Sequence, residues 1–148
     1  EIPLRLVGSE MCIRDRIKAD MILYSPLLRA ADTAKHISDI TGIPAREEMR
    51  LIEQNFGVWE GTSPRNSHEF YEAKKGFVQR FGSGESMFQL AQRIYNLLDE
   101  LKADSDKTYI LVAHNGIARI VSSYFKDMTN DEFAAYGVAN CSITEFEF

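Results

Sequence analysis

The sequence is poor in cysteine, in positive charge and in long apolar runs, and each shortage removes a class of protein. Two cysteines in 148 residues, Cys12 and Cys141, supply neither a disulfide framework nor a zinc site. Lysine and arginine number 17 against 22 acidic residues, a net charge of −5. A phosphate backbone is bound by clustered positive charge, so a general nucleic-acid partner is excluded. One small phosphorylated ligand needs only a local positive pocket and remains open. No apolar run approaches the ~18 residues of a membrane helix; no membrane partner is expected, and a cytoplasmic location is the default. Internal repeats and low-complexity segments are also missing. The remainder is ordinary: 45% hydrophobic and 26% charged residues, in a chain long enough for one domain with a core.

Residues 1–16 (EIPLRLVGSEMCIRDR) carry no secretory pattern, because Arg5 and Glu10 interrupt the short apolar pieces. The string MCIRDR resembles the translated end of a transposon adapter used in sequencing libraries. Residues 1–16 are therefore expected to be a non-native scar, and 17–148 a partial domain. The natural sequence upstream of Ile17 is then missing.

From Ile17 onward, strands and helices alternate. Ala19 to Tyr24 reads as a buried strand stopped by Ser25-Pro26. Leu27 to Ile40 has helical spacing and ends at Thr41-Gly42. Ile43 to Ile52 holds a short edge strand centred on Glu48 to Leu51. Residues 53–61 (EQNFGVWEG) form a loop whose Gly57 and Gly61 permit turns closed to other residues. Phe56 and Trp59 could fix that loop against the core, and either Glu53 or Glu60 could then serve as a general acid; spacing does not choose. Pro64 to Phe81 reads as a helical insert with periodic aromatics. A helix then runs to about Leu101, capped by Ser83 or Ser86, with Glu85 near its positive end. Thr129 to Tyr136 is a further helix, capped by Thr129 or Asn130. Cys141 to Phe148 alternates as a final strand, with Cys141 as a buried small hydrophobe.

The chemistry concentrates in Tyr109 to Val121. Tyr109 to Val112 is a short apolar run of parallel-strand type, residues 113–116 (AHNG) make a tight turn, and Ile117, Ile120, Val121 and Tyr124 recur at helical spacing. His114 thus sits at the carboxyl end of a strand, beside a helix N-terminus, where ligands and anions bind in open α/β sheets. It reads equally as a turn cap or as a phosphate-contacting, proton-carrying group. Arg29, at the corresponding edge after the first strand, could grip a phosphate bidentately or be a solvated surface arginine. His36 and His68 read as surface residues.

Strand–helix alternation gives an α/β three-layer sandwich with a mainly parallel central sheet. Together, residues 25–34 (SPLLRAADTA), 51–61 (LIEQNFGVWEG), 84–86 (GES) and 111–116 (LVAHNG) resemble the histidine phosphatase superfamily, the phosphoglycerate-mutase-like fold. The resemblance implies that Arg29 belongs to the phosphate pocket. It implies that Glu53, rather than Glu60, is the proton donor, and that His114 binds the phosphoryl oxygens. It also implies a nucleophilic histidine in an Arg-His-Gly motif on the first strand, no cofactor and no metal. No Arg-His-Gly occurs in this chain, whose three histidines are His36, His68 and His114. The family's first strand is accordingly expected to be missing or replaced by an unrelated segment.

The implied function is a fragment of a metal-independent phosphatase that hydrolyses small phosphomonoesters through a phosphohistidine, inactive as written. A phosphoglycerate-mutase-type transferase and a non-catalytic pseudophosphatase are the alternatives. The short connection between Glu53 and Glu85 favours phosphatase over mutase. Asn115 departs from the family's more frequent glycine, a tolerable change because asparagine accepts unusual backbone angles.

Overall fold

A computed structural model describes residues 18–61, 68–104 and 106–148; the 1–16 segment and the start of the 64–81 insert lie outside these. In chain order the elements are β1 (Met21–Tyr24), α1 (Leu28–Thr41), β2 (Ala45–Glu47), α2 (His68–Lys74), α3 (Met87–Ala103), β3 (Tyr109–Val112), α4 (Asn115–Phe125) and α5 (Asn130–Ala135). Among the described residues the sheet has the order β2-β1-β3 and is parallel throughout. Leu23 sits in register with Arg46 on one side and Leu111 on the other.

Strand alternation sets the layers. Ile22 and Leu23 are both fully buried, yet they point to opposite faces because successive strand side chains alternate. Ile22 packs with Ala34 of α1, Ile43, Ile37, Ile110 and Val112. Leu23 packs with Leu51, with Leu90, Ile94, Leu97 and Leu98 of α3, and with Ile117 and Ile120 of α4. Helices on both faces of a parallel sheet bear out the α/β expectation.

The helix ends follow local chemistry. α1 stops at Gly42, which adopts φ 75 and donates its amide to Ser38 O at 2.8 Å. α3 starts with a full capping box: Ser86 Oγ accepts the Gln89 amide at 3.2 Å, and Gln89 Oε1 accepts the Ser86 amide at 3.0 Å. α5 repeats the device with Thr129 and Glu132.

Three expectations need correction. The edge strand lies at Ala45–Glu47; Met49–Leu51 is instead a 3₁₀ turn, closed by Glu48 accepting the Arg50 amide and by Leu51 burying completely. The insert contributes a described helix only at His68–Lys74, because Gly76 and the turn at 81–84 break the periodicity. Cys141 to Phe148 is not a continuous strand. Cys141 takes φ 61 and is exposed, and Ser142 turns back to bond Ala139 O. Phe146 then stacks on Phe125 with centroids 4.8 Å apart, and Phe148 packs on the same ring. Aromatic partners on α4 satisfy the phenylalanines that alternation had assigned to a sheet face.

Candidate active site

β1 and β3 end side by side, and their exits build the site. The Ser25 amide continues the ladder beyond Tyr24, donating to Val112 O at 2.9 Å. Ser25 is fully buried. Across from it, His114 occupies the N-cap position of α4, but its ring makes no capping bond. Its Nε2 lies 2.7 Å from Ser25 Oγ instead, so turn-capping does not account for this histidine. Burial holds the His114 pKa below its ordinary value; the Glu53 carboxylate opposes that shift and the Arg29 guanidinium adds to it. Those two charges are therefore the ones His114 feels.

Arg29 stands at the second position of α1, exposed, with its guanidinium in no hydrogen bond or ion pair among the described residues. Glu53 is half-buried in the loop before Gly57–Trp59. Its Oε2 accepts the Gly116 amide at 3.3 Å and its Oε1 the Gln54 amide at 2.9 Å. The contact depends on glycine, since a Cβ at residue 116 would lie 2.5 Å from Glu53 Oε1. Glu60, the competing carboxylate, is exposed and closes its own loop by accepting the Phe56 amide at 2.8 Å. The structure thus places Glu53, Arg29 and His114 at the carboxyl edge of the sheet, whereas the Glu60 carboxylate closes its own loop. His36 is exposed on α1, and His68 is exposed on α2 beside Glu72.

The aromatic residues of the Glu53 loop do fix it, though against a satellite cluster. Phe56 packs edge-on against Phe70 of α2 and Phe81, and Trp59 tilts onto Phe70. Gly57, at φ 52, lets this loop touch the 81–84 turn so closely that a Cβ would lie 2.1 Å from Phe81 O.

Sequence reasoning missed Ser25, Arg119 and the reach of Asn115. Arg119 is buried on α4. Its Nε and Nη2 donate to Tyr136 O at 3.3 and 3.2 Å, and its guanidinium lies over the Phe133 ring. Burial lowers its pKa while Glu53 and Tyr71 pull it back up. One turn earlier, Asn115 Oδ1 accepts the Val138 amide at 3.0 Å. The two side chains tie residues 136–138 to the start of α4. The available signal was a single arginine within the otherwise apolar stripe Ile117, Ile120, Val121. Ser25 carried no separate signal, since Ser-Pro after a strand is explained by strand termination alone.

A family model, the histidine phosphatase superfamily (branch 1), matches residues 11–148. The chain belongs to that superfamily. Among relatives of this histidine phosphatase chain is phosphoserine phosphatase 1 of Hydrogenobacter thermophilus, 28% identical over 93% of this chain and 67% of the relative. Glucosyl-3-phosphoglycerate phosphatase of Mycobacterium tuberculosis is 29% identical over 84% of this chain and 63% of the relative. The solved native structure of a mycobacterial glucosyl-3-phosphoglycerate phosphatase superposes with a TM-score of 0.75 at 26% identity. It covers 90% of this chain and 71% of that one. These relatives are phosphatases by name, and the solved one shares this α/β fold. Among the described residues no helix is long and apolar enough to cross a membrane.

Proposed function

We propose that this chain carries the phosphate-holding and proton-donating part of a metal-independent phosphomonoesterase acting on small phosphorylated substrates, and that the chain as written does not complete the transfer. The observation that carries the reading is the convergence of Arg29, Glu53 and His114 around the N-terminus of α4. In this scheme Arg29 and His114 bind phosphoryl oxygens and stabilise the charge that builds on them, and Glu53 protonates the leaving oxygen. The helix amides favour the same anion.

The Ser25 contact gives His114 a defined role. In this scheme the Ser25 hydroxyl, which also accepts the Leu27 amide at 3.3 Å, donates its proton to His114 Nε2. A neutral imidazole then carries its hydrogen on Nδ1 and offers it to a phosphoryl oxygen. Neutrality near pH 7 is favoured by the lowered pKa. What the scheme lacks is a nucleophile. His36 and His68 are exposed away from the site, and His114 is engaged. The phosphatase reading is preferred to the mutase alternative because the connection between Glu53 and Glu85 is short, with little chain for a second substrate-binding insert.

Isothermal titration with inorganic phosphate tests the reading. The chain should bind phosphate, and Arg29→Ala and His114→Ala should each weaken binding roughly 10-fold or more, the loss expected for a charge-assisted hydrogen bond. Equal affinity in the unsubstituted chain and both variants would overturn it.

A further inference from the structure

Glu53 sits in a loop, yet the chain on both sides of it is tied to two residues, the Arg93 side chain before it and the Glu85 backbone after it. Arg93 of α3 donates through Nη2 to Ile52 O at 2.7 Å and through Nη1 to Arg50 O. The same guanidinium grips Glu85 bidentately, Nε to Oε1 at 2.7 Å and Nη2 to Oε2 at 2.9 Å. On the other flank, the Glu85 amide donates to Asn55 O at 2.8 Å. Gln54, itself buried, donates Nε2 to Glu85 O at 3.0 Å. Residues 50 and 52 before Glu53, and 54 and 55 after it, are thus all tied to the Glu85–Arg93 pair. The pair is largely buried, with side chains 18% and 20% exposed for Arg93 and Glu85, so its hydrogen bonds are little weakened by water.

We infer that Arg93, held by Glu85, is the positioning residue for Glu53: the pair clamps the backbone on both sides of the carboxylate and aims it at Gly116 and His114. A planar fork suits the task, because one guanidinium must satisfy a carboxylate and two carbonyls at fixed angles. Lysine cannot do this. Helix capping is supplied separately by Ser86 and Gln89, so Glu85 has no need to serve the helix end. The functional meaning of the clamp rests on Glu53 being the proton donor; its existence does not.

The test reads Glu53 through His114. Glu53 and Arg29 are the charged groups acting on that imidazole, and Glu53 holds its pKa up. Titrating the His114 ring by NMR in the full chain, Glu53→Gln should shift the pKa down. Arg93→Gln should shift it the same way, Arg93→Lys should restore it only in part, and Arg93→Gln should add nothing in the Glu53→Gln background. Should Arg93→Gln not fold, Arg93→Lys and Glu85→Gln carry the comparison. A clamp variant that folds, loses thermal stability and leaves the His114 titration unchanged would show a merely structural pair and overturn the inference. Phosphate titration of the same variants separates the two claims. A chain that shows the His114 shift but binds no phosphate retains the clamp and loses the proposed function.

Discussion

Gly116→Ala is the most informative single substitution, because the structure gives its opposing terms separately. The added Cβ would stand 2.5 Å from Glu53 Oε1, so one of them must move. The obstacle is the free end of a flexible side chain rather than backbone, and rotating Glu53 away relieves it. That movement gives up the Gly116 amide bond, which at 3.3 Å is long and is worth about 1 kcal/mol. Alanine in place of glycine inside α4 returns roughly 0.5–1 kcal/mol of backbone entropy. The two terms nearly cancel, so stability should change by less than about 1 kcal/mol. With a urea m-value of roughly 1–3 kcal/mol/M, the denaturation midpoint moves by no more than about 1 M. The His114 imidazole, by contrast, loses the carboxylate that supports its charge, and its pKa should fall below that of the unsubstituted chain. Loss of more than about 3 kcal/mol, or an unmoved His114 titration, would refute the reasoning, for it would mean either that Glu53 cannot leave or that it was never coupled to His114.

The remaining predictions concern the imidazole and the core. His114 has a folded pKa below its ordinary 6.5, so the unfolded chain binds the extra proton first. Stability should therefore fall as pH drops through about 6.5 and level off below the folded pKa, and urea melts of His114→Gln should lose that slope. Ile94→Ala, at a fully buried α3 position, should cost about 2–5 kcal/mol, against about 1 kcal/mol for loss of the Ser86 cap in Ser86→Ala. Ser122→Ala should be neutral or stabilising by up to about 1 kcal/mol, since its buried hydroxyl has no hydrogen-bond partner among the described residues.

Sequence reading succeeded where one local rule governed. Tyr109–Val112 came out with its observed bounds, and the helix expected from Ile117 is present but begins two residues earlier, at Asn115, because an apolar run, a tight turn and helical spacing leave few alternatives. Gly42 was legible for the same reason, while the caps narrowed only to Ser83 or Ser86 and to Thr129 or Asn130, of which Ser86 and Thr129 do the capping. The reading failed where tertiary partners overrode the pattern. The Cys141 to Phe148 alternation is real, but its phenylalanines found Phe125 rather than a sheet. Met49–Leu51 became a turn because Arg50 bonds Glu48 and, across 50 residues, Glu100. Within the site, spacing left Glu53 and Glu60 equal, and only the fold separates a carboxylate bonded to Gly116 from one that closes its own loop. Arg93 was invisible in sequence as anything but a helix-surface arginine, since its partners lie 8, 41 and 43 residues away.

We propose a site that holds a phosphoryl group and does not transfer it. Phosphorus NMR of the chain with p-nitrophenyl phosphate tests both halves at once. The substrate resonance should be broadened by binding and sharpened again in Arg29→Ala and His114→Ala, with no inorganic phosphate accumulating. Steady release of inorganic phosphate by the unsubstituted chain, abolished in His114→Ala, would contradict it.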